Sequence, residues 1–532
     1  MAFASRRWRG AWTLKVVVVA GIVALGDVLF FELELSGGTF GFYGLALLMA
    51  LALAQPAVLA QRPAAIALGF AAVYALAMAF SPGPLAWLLF WTAAGMATLL
   101  PRTHGFDDGW RWFQRLAYHG LVALAGPVPD LWRRARAVKR RGHRRAGLRD
   151  VVPVLILPLI GTAMFFWLFA AANPVIERWL ATLNAPGIDA TMVLRALLWT
   201  VLTWFAWGLL RPHMARRVFG TFDGDGSTSI PGISPASVLL SLVLFNALFV
   251  VQNGMDAAWL WGLMPLPQGM TLAEYAHRGA YPLVVTALLA ALFVLVALRP
   301  GSAPAAIPAV RRLVMLWIAQ NLFLVYNAAL RTVDYVEAFS LTVLRISALL
   351  WMGLVALGLV LVLWRMLKGK RAAWLINANL AAAAAVLTMA CFVDLRTVAA
   401  RWNIAHAREV DGDGAMLDLC YLDGLGGSAL LPLIELEGQA LPAPLHDQVR
   451  HVRLAVHYRL IDQVAQGEWD WLSQRRLNAA ERMLGGKIGP RPALGGMMCN
   501  GLPFPPQPAP LAPPPVEGQT VPAAKLTDGE DR

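Results

Sequence analysis

Apolar residues run in long unbroken stretches from Thr13 to Leu395, interrupted by short segments in which arginine, glycine and proline collect. A helix needs roughly 20 such residues to cross a ~30 Å hydrocarbon core. The pattern predicts about eleven spans, near 13–32, 41–60, 64–80, 84–101, 151–173, 190–210, 235–255, 280–299, 311–331, 341–364 and 372–395. The fold class expected is all-α: a polytopic transmembrane helix bundle with a small, mostly helical extramembrane domain and a disordered Pro-rich tail.

The basic residues alternate with these spans. Arg6, Arg7, Arg9, Lys15 and Arg62 fall on one side, as do the cluster Arg133–Arg149, Arg211, Arg216, Arg217, Arg299, Arg311, Arg312, Arg365, Lys368, Lys370 and Arg371. The opposite loops hold little beyond Arg178, Arg278 and Arg331. Lys and Arg mark cytoplasmic loops, so the N-terminus is expected inside. An odd number of spans then leaves the C-terminus outside. The location implied is a bacterial inner membrane with a periplasmic C-terminus. After the run Val16–Phe31 comes Glu32-Leu33-Glu34-Leu35, which offers no small-residue cleavage site, so the first span is expected to be retained.

Composition agrees with the pattern. Hydrophobic residues make up 58% and charged residues 14% of 532 positions, more apolar surface than one soluble core of that length can bury. A net charge of +13 would suggest nucleic acid in a soluble protein. Here the charge lies beside the spans, where anionic lipid headgroups account for it.

Five regions follow: a four-span block (1–101), a linker with an amphipathic helix and a basic cluster (102–150), a seven-span block (151–395), a helical domain (396–488) and a Pro-rich tail (489–532). In the linker, Trp112, Phe113, Leu116 and Leu121 beside Arg111 and Arg115 form an interfacial face. Runs such as Pro503-Phe504-Pro505-Pro506 cannot pack a core. Cys420 and Cys499 either pair in an oxidising compartment or stay as two thiols.

Catalytic signatures are missing: no Walker loop, HExxH, GxSxG or CxxC occurs. Phe222-Asp223-Gly224-Asp225-Gly226 lacks the Gly and Glu positions of a calcium loop. No catalytic residue, metal ligand or cofactor is therefore assigned. The candidate site is instead a set of polar residues near the outer ends of the spans: Gln252, Glu274, Tyr275, Arg278, Asn327, Arg331, Asp334, Tyr335, Glu337 and Arg345. Gln320, Asn327, Arg331 and Asp334 are spaced 7, 4 and 3 apart and share a helical face. Glu337 is expected in the turn before the next span. Thr271 to Glu274 forms a capping box, and Glu274 and Arg278 are one turn apart. Such groups either fix helix packing or line a pocket, and Arg278, Arg331 and Arg345 would suit an anion. Asp27 and Asn246 have no partner evident in the sequence.

Several of these stretches resemble a family of bacterial polytopic membrane proteins, domain of unknown function 4173, related to the 4153 group. They are Phe249-Val250-Val251-Gln252, Glu274-Tyr275-Ala276-His277-Arg278-Gly279, Tyr326 to Arg331, Tyr335 to Arg345, Arg401-Trp402-Asn403-Ile404 and Leu417 to Leu422. The resemblance covers roughly 150–435 and departs at His277 and at Phe339-Ser340. It implies a membrane location and a shared outer-face motif, and supplies no reaction. The function expected is a non-enzymatic envelope scaffold or sensor with a periplasmic protein partner. The alternative is a transporter or channel for a small anionic solute.

Overall fold

The computed structural model describes residues 2–103, 105–125, 190–215, 218–220, 234–260, 285–286, 289, 292–293, 302–411, 414–492 and 497–502. The expected spans at 151–173 and, but for a few residues, 280–299 lie outside them. So do the basic cluster, Glu274, Tyr275, Arg278 and the Pro-rich tail beyond 502.

Among the described residues the chain is helical, without a strand. Helices α1 (Ala2–Asp27), α2 (Thr39–Ala54), α3 (Arg62–Phe80) and α4 (Pro84–Leu99) form an N-terminal block. Then come α5 (Gly109–Ala125), α6 (Ala190–Leu210), α7 (Pro235–Leu260), α8 (Pro308–Phe339), α9 (Val343–Lys368) and α10 (Ala372–Ala390). Among the described residues, eight stretches are long and apolar enough to cross a membrane; α2, with 16 residues, is shorter. It stops before the expected residue 60 because Gln55 precedes Pro56, a position that disfavours helical backbone.

Two differences from expectation matter later. Helix α8 continues two turns beyond Arg331, so Asp334, Tyr335 and Glu337 lie on the helix and the turn is Ser340–Thr342. Val336, on this extension, packs with Ala399 and Trp402 of the C-terminal domain. Helix α5 forms where the amphipathic pattern predicts it, but Trp112 is buried, stacked 6.0 Å from Phe106, while Phe113 and Leu121 remain exposed.

The C-terminal domain is built from α11 (Leu395–Ala405), α12 (Leu419–Gly424), α13 (Leu430–Glu437), α14 (Ala443–Ala465) and α15 (Trp471–Leu484). Its core is Leu422, Leu430, Leu433, Leu436 and Val449, all shielded from solvent. A disulfide joins Cys420 to Cys499 across 79 residues. Residues between 489 and 502, placed in the tail by the sequence pattern, contact this domain. Tyr458 Oη donates to Gly489 O (2.7 Å), His451 Nε2 meets Met497 O (2.8 Å) and Met498 N donates to Leu502 O (2.7 Å).

This domain sits on one end of the bundle. Ser36 N donates to Gly467 O (2.9 Å) and Gly38 N to Trp469 O (2.5 Å). Gly37 and Gly467, both at positive φ, let these two turns interlock, since a Cβ on either would lie 2.6 Å from a backbone oxygen of the other turn. Phe80, ending α3, stacks on Trp471 at 5.1 Å. Asp394 connects α10 to the domain: it caps α11 through Thr397 N (3.2 Å) and pairs with Arg476. Burial pushes its carboxyl up, but the Thr397 hydrogen bond and Arg476 outweigh this and hold it below the usual carboxylate range. At the opposite end, Lys15 Nζ and Gln55 Nε2 donate to Leu210 O (2.6 and 2.9 Å), and Arg102 Nη1 donates to Pro212 O (2.6 Å).

Candidate functional site

Polar residues at helical spacing on α7 and α8 meet along one seam. Gln320 Nε2 donates to Asn246 Oδ1 (2.7 Å), and Asn246 Nδ2 donates to Leu313 O (3.1 Å). Asn253 Nδ2 donates to Gln320 O (3.1 Å). Toward the domain, Arg331 forms an ion pair with Asp256, which also accepts from Gln252 Nε2 (3.0 Å). Contacts that rise together along both chains mean that α7 and α8 run parallel. Asn246, which the sequence leaves without a partner, belongs to this seam.

The seam is dry by exposure: Asn253, Asp256, Asn327 and Arg331 are each 7% exposed or less. A buried ion pair inside a membrane gains Coulomb energy in a low dielectric and pays heavily to desolvate, so the pair persists only while both partners are present. Toward the opposite face the seam becomes apolar, with Val238, Leu242, Val310, Val314 and Ile318 packed together. Phe293 closes on this cluster against Phe245 and Trp317, at 5.6 and 5.7 Å.

Of the arginines expected to share a pocket, Arg278 lies outside the described residues, and Arg331 and Arg345 have different partners. Arg331 turns inward to Asp256. Arg345 serves the end of α8: Nη1 donates to Phe339 O (2.7 Å) and to Ser340 O, and its guanidinium lies 4.0 Å over the Tyr335 ring. Helix C-terminal carbonyls lack intrahelical donors, so a cation there both bonds them and offsets the dipole. Asp334 and Glu337 are exposed. Glu337 borders a cavity of about 790 Å³, with Val336, Leu341, Ile346, Trp402 and His406, between the α8–α9 turn and the domain. Asn403 clamps this turn: Leu341 N donates to its Oδ1 (2.6 Å) and its Nδ2 donates to Leu341 O (3.0 Å). Val343 N donates to Tyr421 Oη (3.1 Å).

Two residues central to these contacts were not singled out from the sequence. Asp256 lies four residues after Gln252 and three after Asn253, a spacing that matches the stripe on α8. Arg195, in α6, supplies the partner that Asp27 lacked: Nε donates to Asp27 Oδ1 (2.8 Å) and Nη2 to Glu32 Oε1 (2.7 Å), and Trp199 Nε1 also donates to Asp27 Oδ1 (2.8 Å). Among the described residues no group of His, Cys, Asp and Glu is placed to hold a metal ion.

A bundle of membrane-length apolar helices carrying a buried polar seam defines a polytopic integral membrane protein. The chain belongs to the family described as Domain of unknown function (DUF4153), matched over residues 45–436. This is the group to which the resemblance in the sequence is related. The match takes in the seam, the α8–α9 turn and the domain as far as α13; α14, α15 and Cys499 lie beyond it. No curated protein and no solved structure matches the chain. Three stretches that carry the resemblance, Tyr335 to Arg345, Arg401 to Ile404 and Leu417 to Leu422, meet at the clamped turn.

Proposed function

We propose that this protein is a non-enzymatic scaffold or sensor of the bacterial inner membrane, with its N-terminus in the cytoplasm and its C-terminal domain in the periplasm. The observation that carries this is the clamped turn. Asn403 and Tyr421 of the domain bond the backbone of the α8–α9 connection directly, so a partner held by the domain is coupled to the helices of the seam. The cavity beside Glu337 and His406 lies at the same joint and would accept a ligand or a partner side chain. Orientation rests on the basic loops, which follow the cytoplasmic rule, and on the Cys420–Cys499 disulfide, which suits an oxidising compartment. Anionic lipid headgroups are the partner expected for the basic linker, and a periplasmic protein the partner for the domain. Alkaline phosphatase fused after residue 440 should be active and the same fusion after residue 140 silent. The reverse pattern would overturn the orientation.

The second reading, a carrier or channel for a small anion, draws on the buried polar stripe inside the spans. Against it, Arg331 already faces Asp256 and Arg345 already bonds helix carbonyls. Saturable uptake of phosphate or a carboxylate into proteoliposomes, lost in Arg331→Gln, would favour transport over the scaffold. Uptake no greater than in protein-free vesicles would favour the scaffold.

A further inference from the structure

The cavity between the α8–α9 turn and the domain crosses the edge of the hydrocarbon. Its lower walls are Val333 on α8 with Leu349 and Leu350 on α9, and its upper walls carry Glu337, Trp402 and His406. Helix α9 fixes the level of that edge. Arg365 and Lys368 lie in its last turn, and about 20 residues, the length that crosses the core, lead back from Arg365 to Arg345. Leu349 and Leu350 are therefore inside the hydrocarbon and the Ser340–Thr342 turn is at its surface. Val333 comes seven residues before this turn and Leu349 seven after it, so both lie about 10 Å deeper. Val333 is exposed and Leu349 and Leu350 are half-buried, which opens the lower part of the cavity to lipid.

The upper part is acidic. Asp334 and Glu337 sit one turn apart on α8, and among the described residues neither has an ion pair or a hydrogen bond. The arginines nearest in sequence face elsewhere: Arg331 pairs with Asp256, and Arg345 bonds the carbonyls that end α8. His406 Nδ1 donates to Trp402 O (2.9 Å), which can only accept, so in the neutral ring Nε2 is an acceptor. Negative charge and acceptors on the rim are the complement of a protonated amine. The volume, about 790 Å³, falls in the ~300–1,000 Å³ range of ligand sites.

One kind of molecule matches both halves: a lipid whose headgroup carries an ammonium. A soluble amine would leave the apolar walls bare, and an anionic lipid would set its charge against Glu337 and Asp334. We propose that the cavity binds an aminophospholipid, with its ammonium at Glu337 and one acyl chain between α8 and α9 beside Val333 and Leu349. This rests on the reading of the joint as a ligand site, and not on the orientation of the protein in the membrane.

Photolabelling tests it on the full-length protein in phosphatidylcholine nanodiscs. Trace phosphatidylethanolamine or phosphatidylglycerol, each with the same diazirine-bearing chain, is irradiated and the labelled residues are mapped by mass spectrometry. The phosphatidylethanolamine probe should label Val333, Leu349 and Leu350 about tenfold more than the phosphatidylglycerol probe, the weight of one hydrogen bond to a charged group, and Glu337→Gln should remove that preference. Glu337 is exposed, so this variant keeps the fold, which its melting temperature checks. Leu349→Trp, which fills the lower part, should suppress labelling of Val333 by both probes. Equal labelling by the two probes, or an unchanged preference in Glu337→Gln, would overturn the amine site. Glycerophosphoethanolamine, the headgroup without chains, should not compete where whole phosphatidylethanolamine does; competition would make the ligand a soluble amine and overturn the lipid. Nanodiscs expose both faces of the protein. A reversed phosphatase pattern would therefore strike the periplasmic assignment alone, and a missing amine preference would strike the lipid alone.

Discussion

The bundle contains two helix seams built on opposite principles. Between α2 and α3 the contact is built from small residues: Ala64, Ala67, Ala71 and Ala75 recur on α3 at spacings of three and four, and Gly41 on α2 presses against Ala75 and Ala79. Between α7 and α8 the surface is polar, with Asn246, Asn253 and Asp256 facing Gln320 and Arg331. Lipid tails are as apolar as leucine, so burying apolar area adds little to association between spans. Close backbone approach or hydrogen bonding must supply it. The first seam is satisfied by shape alone. The second is held by directed bonds between side chains, so each partner matters individually.

The largest effect should come from splitting the ion pair. Arg331→Gln removes the cation beside Asp256, which is 3% exposed and among the described residues also accepts from Gln252, at a cost of about 3–5 kcal/mol. Adding Asp256→Asn should recover part of that loss, because the double variant buries no lone charge. Denaturation of the four proteins in detergent measures the coupling, and strictly additive losses would show that the two residues do not act as a pair. The shape-built seam should respond to volume instead. A Cβ at Gly41 would lie 2.4 Å from Ala75 O and 2.5 Å from Ala79 N, both backbone atoms that cannot swing aside. Gly41→Ala should therefore cost about 1–3 kcal/mol. Gly69→Ala on α3 meets nothing within 4 Å and should be neutral or gain up to about 1 kcal/mol from helix propensity. If both glycine changes had the same effect, close approach would not be what holds this seam. The Gly41 and Arg331 effects should add, since the seams share no residue.

The spans were legible because a membrane helix leaves a local signature of about 20 apolar residues. The partners across them were not, because pairing is long-range and lipid allows several neighbours for any one face. Asp27 shows this: its partner Arg195 lies 168 residues away, and no local spacing links them. The α7–α8 seam was half legible. Gln320, Asn327 and Arg331 form a visible stripe, and Asn246, Asn253 and Asp256 form the matching one, with spacings of 7 and 3 that could have been set against it. Asp334 and Glu337 are nearer to Arg331 in sequence than Asp256 is, and Glu337, expected in the turn, lies on α8, which stays helical to Phe339. The disulfide could only be left open, since 79 residues separate its cysteines.

The smallest effect concerns pH, and it belongs to the contact of α5 with the N-terminal block. His119 on α5 packs 3.7 Å from the position a Cβ would take at Gly95 of α4, and His213 N donates to its Nδ1 at 3.4 Å. Burial first, then the neighbouring His213 and Arg102, lower its pKa from 6.5 to about 4. Above the unfolded value the ring is neutral in both states and contributes no pH dependence. Between about 6.5 and 4 the unfolded chain binds a proton that the folded one does not, so stability falls as pH falls. At pH 5.5 the expected loss is about 1 kcal/mol, close to tenfold in the local opening equilibrium of α5. Hydrogen exchange of the α5 amides, corrected for intrinsic rate, should show that acceleration between pH 7 and 5.5 in the native protein and not in His119→Phe. An identical acceleration in the variant would assign the pH response to another group and leave the contact between α4 and α5, like the alanine seam beside it, a matter of shape.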